Sequence, residues 1–415
     1  MPGLRDDSLG LYISIPFCRS KCTYCNFASG VYPAGEHARY VNRVIEEMTG
    51  AGTWVERMGL ELPRRVDTIY LGGGTPSLLA PELVARLFAA VRAEFDVEPE
   101  AEITVEYAPG QLGDAMLDAL AEAGVNRVSL GVQSFIDREA ARSGRLHSRA
   151  VVLADIERLR RAGIANLNVD LIAGLAGQSF VSWEESLAAL AGTGVPHASV
   201  YMLEIDEDSR LGREVLARGA RYHAELVPGE DAIARMYEAA IERLCEAGLG
   251  QYEISNFCRP GMASRHNLRY WERRPYLGLG LDASSMLREA RAADGGEMRR
   301  VLRSTTTDDL KVYIEGGEPV ELAWLTAARQ HEEAWFLGLR LNVGVSVAAL
   351  EREFGAETVA PAMQAVARLA EAGLVLFDGE TVRLTARGRL LSNDVFQEFL
   401  GLDARETTPG IPART

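Results

Sequence analysis

Three cysteines crowd into eight residues near the start of the chain: Cys18-Arg19-Ser20-Lys21-Cys22-Thr23-Tyr24-Cys25, a C-x3-C-x2-C run. Three thiolates on one tight loop can hold three irons of a [4Fe–4S] cluster and leave the fourth iron open to substrate chemistry. The competing reading is a structural zinc, which wants four ligands. No His or Cys follows closely behind Cys25. A second signal is Gly72-Gly73-Gly74-Thr75-Pro76. Successive glycines let a backbone approach a ligand without Cβ clashes, although a glycine run can equally be a plain turn. Further along, Glu106, Gln133 and Asp170 stand at the ends of apolar runs. Arg145, in the loop after Gln133, could grip a carboxylate bidentately or lie solvated on the surface.

These groups need elements to bring them together. Short β-branched runs at 11–17, 66–72, 102–107, 127–133, 166–171 and 197–204 predict strands. Helical patterns at 81–95, 112–123, 150–162, 180–190 and 230–247 lie between or after them, with Gly124, Gly163 and Gly248 as stop signals. Six strand–helix units imply a parallel sheet with right-handed crossovers. We read them as a partial (β/α)6 barrel of α/β class; a doubly wound open sheet is the alternative. In a barrel the C-terminal strand ends open onto one face, where loops build active sites. Glu106, Gln133 and Asp170 would converge there. Each alone could be a solvated strand end.

The barrel is assigned to residues 1–250, followed by a further segment and flap at 251–320. Residues 288–307, centred on Asp294-Gly295-Gly296, read as a hairpin. From 321 to 401 the pattern changes to helices at 322–341, 347–354 and 359–372. A strand pair turning at Asp378-Gly379 and a last helix at 387–400 follow. This predicts a smaller, winged-helix-like C-terminal domain. Residues 402–415 carry two prolines and no periodic pattern, and are expected to be disordered.

Composition sets outer limits. The 415 residues are 47% hydrophobic and 25% charged, which excludes a disordered or collagen-like chain. Lys+Arg 44 against Asp+Glu 59 gives a net charge of −15, which argues against binding nucleic acid or an anionic membrane surface. No apolar stretch is long enough to span a bilayer, and the apolar run at 9–17 lacks the basic flank of a secretory signal. A cytoplasmic location, where thiols stay reduced, is the expectation.

The three-cysteine spacing resembles that of the radical S-adenosylmethionine (SAM) superfamily. Four further stretches narrow the resemblance: Leu11-Tyr12-Ile13-Ser14-Ile15-Pro16-Phe17-Cys18, Gly72 to Pro76, Gly131-Val132-Gln133-Ser134-Phe135 and Asp170-Leu171-Ile172-Ala173-Gly174-Leu175. Over nearly the whole chain they resemble the oxygen-independent coproporphyrinogen III oxidase family. The resemblance implies that Cys18, Cys22 and Cys25 hold the cluster. It implies that Tyr12, Tyr24, Gly73, Gly74, Thr75, Glu106, Gln133, Arg145 and Asp170 contact SAM.

Within that family the oxidases carry a fourth cysteine two residues after the third, where this chain has Phe27. In this it is similar to the HemW-type haem chaperones. His266-Asn267-Leu268-Arg269-Tyr270-Trp271 likewise resembles their H-N-x-x-Y-W segment, which is implicated there in haem binding. His266 would offer an axial nitrogen to haem iron, Tyr270 and Trp271 flat surface, and Arg265 and Arg269 partners for propionates. The plainer reading is a buried His capping a turn beside core aromatics. Cys258 is a further candidate ligand or an ordinary thiol, and Cys245 reads as core.

The resemblance departs in places. Glu106-Tyr107-Ala108-Pro109-Gly110 replaces Glu-Ala-Asn-Pro-Gly, Leu175-Ala176-Gly177-Gln178 replaces Leu-Pro-Gly-Gln, and the stretch from Gly278 to Ser284 lacks a third Gly and a His. The resemblance implies a haem chaperone delivering haem to haemoproteins such as membrane-associated respiratory enzymes, with the cluster gating transfer or dimerisation as a homodimer. Its rivals are oxidative decarboxylation of coproporphyrinogen III and another radical SAM reaction on haem.

Overall fold

The structure, a computed structural model, describes residues 8–290, 299–317 and 321–402. Six strands run parallel in chain order: β1 (Leu9–Ile15), β2 (Arg65–Gly73), β3 (Asp96–Tyr107), β4 (Arg127–Gln133), β5 (Asn166–Ala173) and β6 (His197–Met202). Parallel neighbours require crossovers, and helices such as Pro81–Glu94, Arg149–Arg161 and Phe180–Thr193 supply them. Gly124, Gly163 and Gly248 each follow a helix with φ of 78°, 88° and 79°, the left-handed stop that the sequence predicts.

Three short strands finish the sheet's flanks: β7 (Gly250–Gln251), β8 (Asn256–Cys258) and β9 (Tyr276–Leu279). The outer edge of β6 takes β8, antiparallel, and that of β1 takes β9, parallel. The edges of β1 and β6 are therefore both occupied, and the barrel is partial, as expected. β10 (Ser284–Arg288) and β11 (Val301–Thr305) form the expected antiparallel hairpin. Its Asp294-Gly295-Gly296 centre lies outside the described residues, as do residues 403–415 of the expected tail.

The helix expected over 322–341 is shorter than its pattern. Residues Glu321–Leu325 form β12, paired with β11, and the helix Ala327–Gly338 starts only after Thr326, whose side chain accepts from Arg329 N. A short apolar run suits strand and helix alike, and the open edge of β11 decides. The last helix also divides, into Ala386–Leu390 and Ser392–Gln397. Helices Val347–Phe354 and Ala356–Glu371 pack with a small sheet of β13 (Val345–Ser346), β14 (Val375–Phe377) and β15 (Thr381–Leu384). Trp335 stacks on Phe399, with centroids 4.9 Å apart, at the centre of this second core. Ile254, beside β8, joins the same core.

Helix Arg265–Trp271 lies across the N-terminal ends of β1 and β2. The Arg269 side chain passes over Gly10 so closely that a Cβ there would meet its Cδ at 2.4 Å. Its guanidinium ion-pairs with Asp67 and donates to the carbonyls of Ser8 (3.0 Å) and Pro275 (2.9 Å). Both members of the pair are buried. Removing one partner of a buried ion pair costs about 3–5 kcal/mol, because the other charge is left uncompensated. Arg269→Met is therefore expected to lower the unfolding free energy by about that much, read by urea denaturation of the protein without added ligands. A loss below about 1 kcal/mol would show that Asp67 finds water or another partner.

Candidate functional site

The cysteine loop is built on the end of β1. Phe17 is buried, its ring 3.9 Å from that of His37 and edge-on to Tyr40. Gly30 N donates to Pro16 O (2.9 Å) and Cys18 N to Gly30 O (2.8 Å), so residues 18–30 leave and return at one point. Thr23 N donates to Ser143 O (3.0 Å), Leu211 N to Thr23 O (2.8 Å), and Lys21 Nζ to Phe27 O (3.0 Å). The loop is thus tied to the β4 and β6 connections as well as to itself. Cys18, Cys22 and Cys25 are free thiols, each partly exposed.

The glycine run meets this loop backbone to backbone. Gly74 N donates to Ile15 O and Thr75 N to Phe17 O, both at 2.8 Å. Gly73 has φ of 99°, and a Cβ on Gly74 would lie 2.8 Å from Phe17 O and 2.9 Å from Ile15 O. No side chain fits there without moving main chain. The Thr75 hydroxyl lies 3.9 Å from Cys18 Sγ.

Beyond the loop the carboxylates converge. Glu106 on β3 accepts from the Tyr70 hydroxyl (2.8 Å) and from Gly73 N (3.1 Å). Burial, and then the nearby charge of Asp170, push its carboxyl up to about 7. Asp170 on β5 accepts from Asn168 Nδ2 (2.7 Å) and the Ser129 hydroxyl (3.2 Å), and burial raises it too. Gln133 ends β4 with φ of 68°, left-handed for a non-glycine residue, at a register slip against β5. Arg145 reaches over Gly131, where a Cβ would meet its Nη2 at 2.6 Å. The neighbouring Tyr24, Cys22 and Asp170 favour its charged form.

Of the residues expected to hold the cluster and SAM, all except Tyr12 line one cavity of about 1150 Å³. Tyr12 lies beside it, its ring stacked on Tyr70 at 6.1 Å. The C-terminal domain contributes Arg340 and the 387–394 segment to the same mouth. Tyr70, Ser129 and Asn168 belong to the polar shell but escape a reading of strand ends. Their signal is the period-2 placement of polar residues inside otherwise apolar strands.

The second predicted cluster lies elsewhere. His266 is 1% exposed and does not line the cavity. Its Nδ1 is hydrogen-bonded to the Thr68 hydroxyl (3.0 Å) and its Nε2 to the Tyr270 hydroxyl (2.8 Å). Both ring nitrogens are thus engaged within the protein. Trp271 lies under Arg340, 4.2 Å from its ring centroid. Arg269 is buried and committed to Asp67, while the partly exposed Arg265 donates to Glu100 O (2.6 Å). Cys258 is buried in β8, and burial raises its thiol to about 11. Cys245, expected in the core, is exposed. The buried stripe of helix Glu230–Glu246 ends at Leu244, and one further residue turns about 100° away from it.

The Radical SAM superfamily model matches residues 12–190, and the HemN C-terminal domain model matches residues 325–391. The heme chaperone HemW of Lactococcus lactis is 33% identical over 94% of this chain and 96% of its own length. That of Bacillus subtilis is 33% identical over 94% and 98%. The chain belongs to the HemW family. Its fold is also that of a solved structure, the Escherichia coli coproporphyrinogen III oxidase HemN, with TM-score 0.78 and 24% identity over 94% of this chain and 90% of the other.

The radical SAM superfamily implies a [4Fe–4S] cluster and SAM, and the residues present in this HemW-family chain fit both. Three thiols share one anchored loop. Among the described residues no three His, Cys, Asp or Glu side chains close on a single-ion site, and thiolates that each take a separate iron do not need to. Arg145, which lines the cavity, has its Nε buried without a hydrogen-bond partner.

Two predictions follow from Glu106 and Gly74. A carboxyl raised from about 4.5 to about 7 is protonated in the folded protein where the unfolded chain is ionised. Below pH 4.5 both states hold the proton, so Glu106's own contribution to stability falls as pH rises between these values, by about 3 kcal/mol, while buried neutral His266, whose pKa is lowered, contributes with the opposite sign. Glu106→Gln is expected to remove that contribution, so that the variant's stability relative to wild type rises by up to about 3 kcal/mol from pH 5 to 8 in urea denaturation. An unchanged slope would place the titration elsewhere. Gly74→Ala is expected to displace the 16–18 backbone and cut the iron retained after anaerobic reconstitution severalfold, measured by metal analysis against wild type.

Proposed function

We propose that this chain is a haem chaperone of the radical SAM superfamily. It binds haem, holds a [4Fe–4S] cluster through Cys18, Cys22 and Cys25, binds SAM in the barrel mouth, and passes haem to haemoproteins from the cytoplasm. The observation that carries this reading is the match to chains named heme chaperones along 94% of the sequence, through barrel and C-terminal domain together. Phe27 adds to it. Where the resembling oxidases carry a fourth cysteine, this chain presents an apolar ring, 62% exposed at the rim of the cavity.

The cluster, when bound, supplies an electron-transfer centre with one open iron. The protein's part is binding and orientation. The backbone turn of Gly73, Gly74 and Thr75, held against residues 15–17 by a close approach that leaves no room for a Cβ at Gly74, is offered to the SAM methionyl group. Glu106 in its carboxylate form faces the ammonium, Arg145 takes the carboxylate, and Asp170 and Gln133 accept from and donate to the ribose hydroxyls. Tyr12 and Tyr24 wall the same site.

The test is an anaerobic haem titration of reconstituted protein, followed at the Soret band, with a coproporphyrinogen turnover assay on the same sample. Stoichiometric haem binding without turnover supports the chaperone. Turnover with little specific haem binding replaces it by the decarboxylase. SAM affinity carries its own signature. Because the ammonium pairs with the carboxylate form of Glu106, affinity is expected to rise with pH by up to about tenfold per unit below 7, to level off just above it, and to decline above about 8 as the ammonium itself loses its proton. The same titration of Glu106→Gln should lose the rise below 7.

A further inference from the structure

We propose that the His266-to-Trp271 segment is the floor of the SAM site, in which His266 positions Glu106 through the ring of Tyr70. His266 is thereby a positioning residue and not a haem ligand. The inference rests on the reading of the cavity as a SAM site.

A continuous stack connects the two. The His266 imidazole lies 5.3 Å from the Tyr70 ring at an interplanar angle of 30°, and Tyr70 lies 6.1 Å from Tyr12 at 29°. The Tyr70 hydroxyl then donates to Glu106 Oε1. The stack is pinned at its lower end. Thr68, two residues before Tyr70 on β2, bonds one imidazole nitrogen, and Tyr270, one helical turn on, bonds the other. Tyr270 is itself set edge-on against Tyr276 of β9 at 4.7 Å.

Strand β3 ties the same parts a second way. Glu102 accepts from the backbone N–H groups of Arg265 (3.1 Å) and His266 (3.0 Å), which start the helix. Four residues along the same strand, on the same face, is Glu106. One strand thus carries both the carboxylate that holds the helix and the carboxylate that faces the cavity. Arg269, clamped to Asp67 over Gly10, fixes the helix against sliding.

The chemistry of the imidazole agrees. Burial, then the charges of Arg269 and Arg127, lower it to about 3, so the ring stays neutral at every working pH. To reach an iron it would have to break both hydrogen bonds and leave the stack, exposing Tyr70 and orphaning Thr68 and Tyr270 in the interior. A neutral ring held on both nitrogens is suited to fixing its neighbours.

The experiment uses the full chain with its cluster reconstituted, in wild-type, Tyr70→Phe, His266→Ala and His266→Gln forms. SAM affinity is measured from pH 6 to 8.5, and haem affinity and Soret position on the same preparations. Tyr70→Phe keeps the ring and removes the donor that favours ionised Glu106. The other groups facing that carboxyl, Asp170, Arg145, Tyr12, Tyr201 and Tyr270, stay in place. SAM affinity near neutral pH should fall about fivefold to tenfold, and the pH at which it levels off should move upward. His266→Ala should weaken SAM binding similarly, His266→Gln should restore part of it, and neither should move the Soret band or haem affinity. A Soret shift or haem loss in the His266 variants with SAM binding intact would overturn the proposal. So would an unaltered pH profile in Tyr70→Phe. Wild-type protein that binds no SAM at any pH would instead remove the SAM reading, and the proposal with it.

Discussion

Two backbone hydrogen bonds, Gly74 N to Ile15 O and Thr75 N to Phe17 O, fix the relation on which the rest of the site depends. They join the turn after β2 to the exit of β1, and so set the glycine run against the start of the cysteine loop. Because the contact is between main chains, the side chain at residue 74 has no room to be anything but hydrogen. Glu106 then reaches Gly73 N from β3, and the site grows outward from that corner through β4 and β5. Parallel neighbours in register bring these strand ends level, so residues distant in sequence share one rim.

The interior of the barrel carries more polar character than stability alone would select. Glu106 and Asp170 sit near each other in low dielectric, and each is pushed upward by burial. Their hydrogen bonds, from Tyr70 and Gly73 to one and from Asn168 and Ser129 to the other, offset only part of that cost. Gln133 adds a left-handed backbone. Strain and unfavourable charge gather at the strand ends that face the cavity, while the apolar core between strands and helices is continuous. Perturbed carboxyls and backbone strain gathered at one cavity are the pattern that functional sites show.

Much of this was legible in the sequence, for identifiable reasons. The six parallel strands are β-branched runs with glycine stops between them, and period and punctuation agree. The cysteine loop stands out because three cysteines fall in eight residues, and the structure gathers them on one anchored loop. The strand ends Glu106, Gln133 and Asp170 follow once the barrel is assumed, since topology alone brings them together. What was hidden depends on three-dimensional context. Residues 322–325 are apolar in a way that suits helix or strand, and only the free edge of β11 chooses. Cys245 is one residue beyond a buried stripe, a distinction of about 100° that spacing blurs. Tyr70 looks like an ordinary strand aromatic until its hydroxyl is seen on Glu106. The H-N-x-x-Y-W run names the right residues to touch iron, yet nothing in its spacing reveals that Thr68 and Tyr270 already occupy both imidazole nitrogens.

The placement of that run also explains why the two domains are joined as they are. The chain leaves the barrel through β7, β8 and helix Arg265–Trp271, passes back to β1 through β9, and only then enters the C-terminal domain. Arg340, just beyond the first helix of that domain, ion-pairs with buried Glu253 at 3.5 Å and covers Trp271. The same Arg340 lines the cavity, together with Arg387 and the residues up to Asp394. One arginine therefore touches helix Arg265–Trp271, the β8 turn and the cavity mouth. A displacement of the C-terminal domain would have to uncover Trp271 and leave the Glu253 carboxylate without its cation, two costs that act together. The second domain is thus held to the barrel beside the cavity that both line.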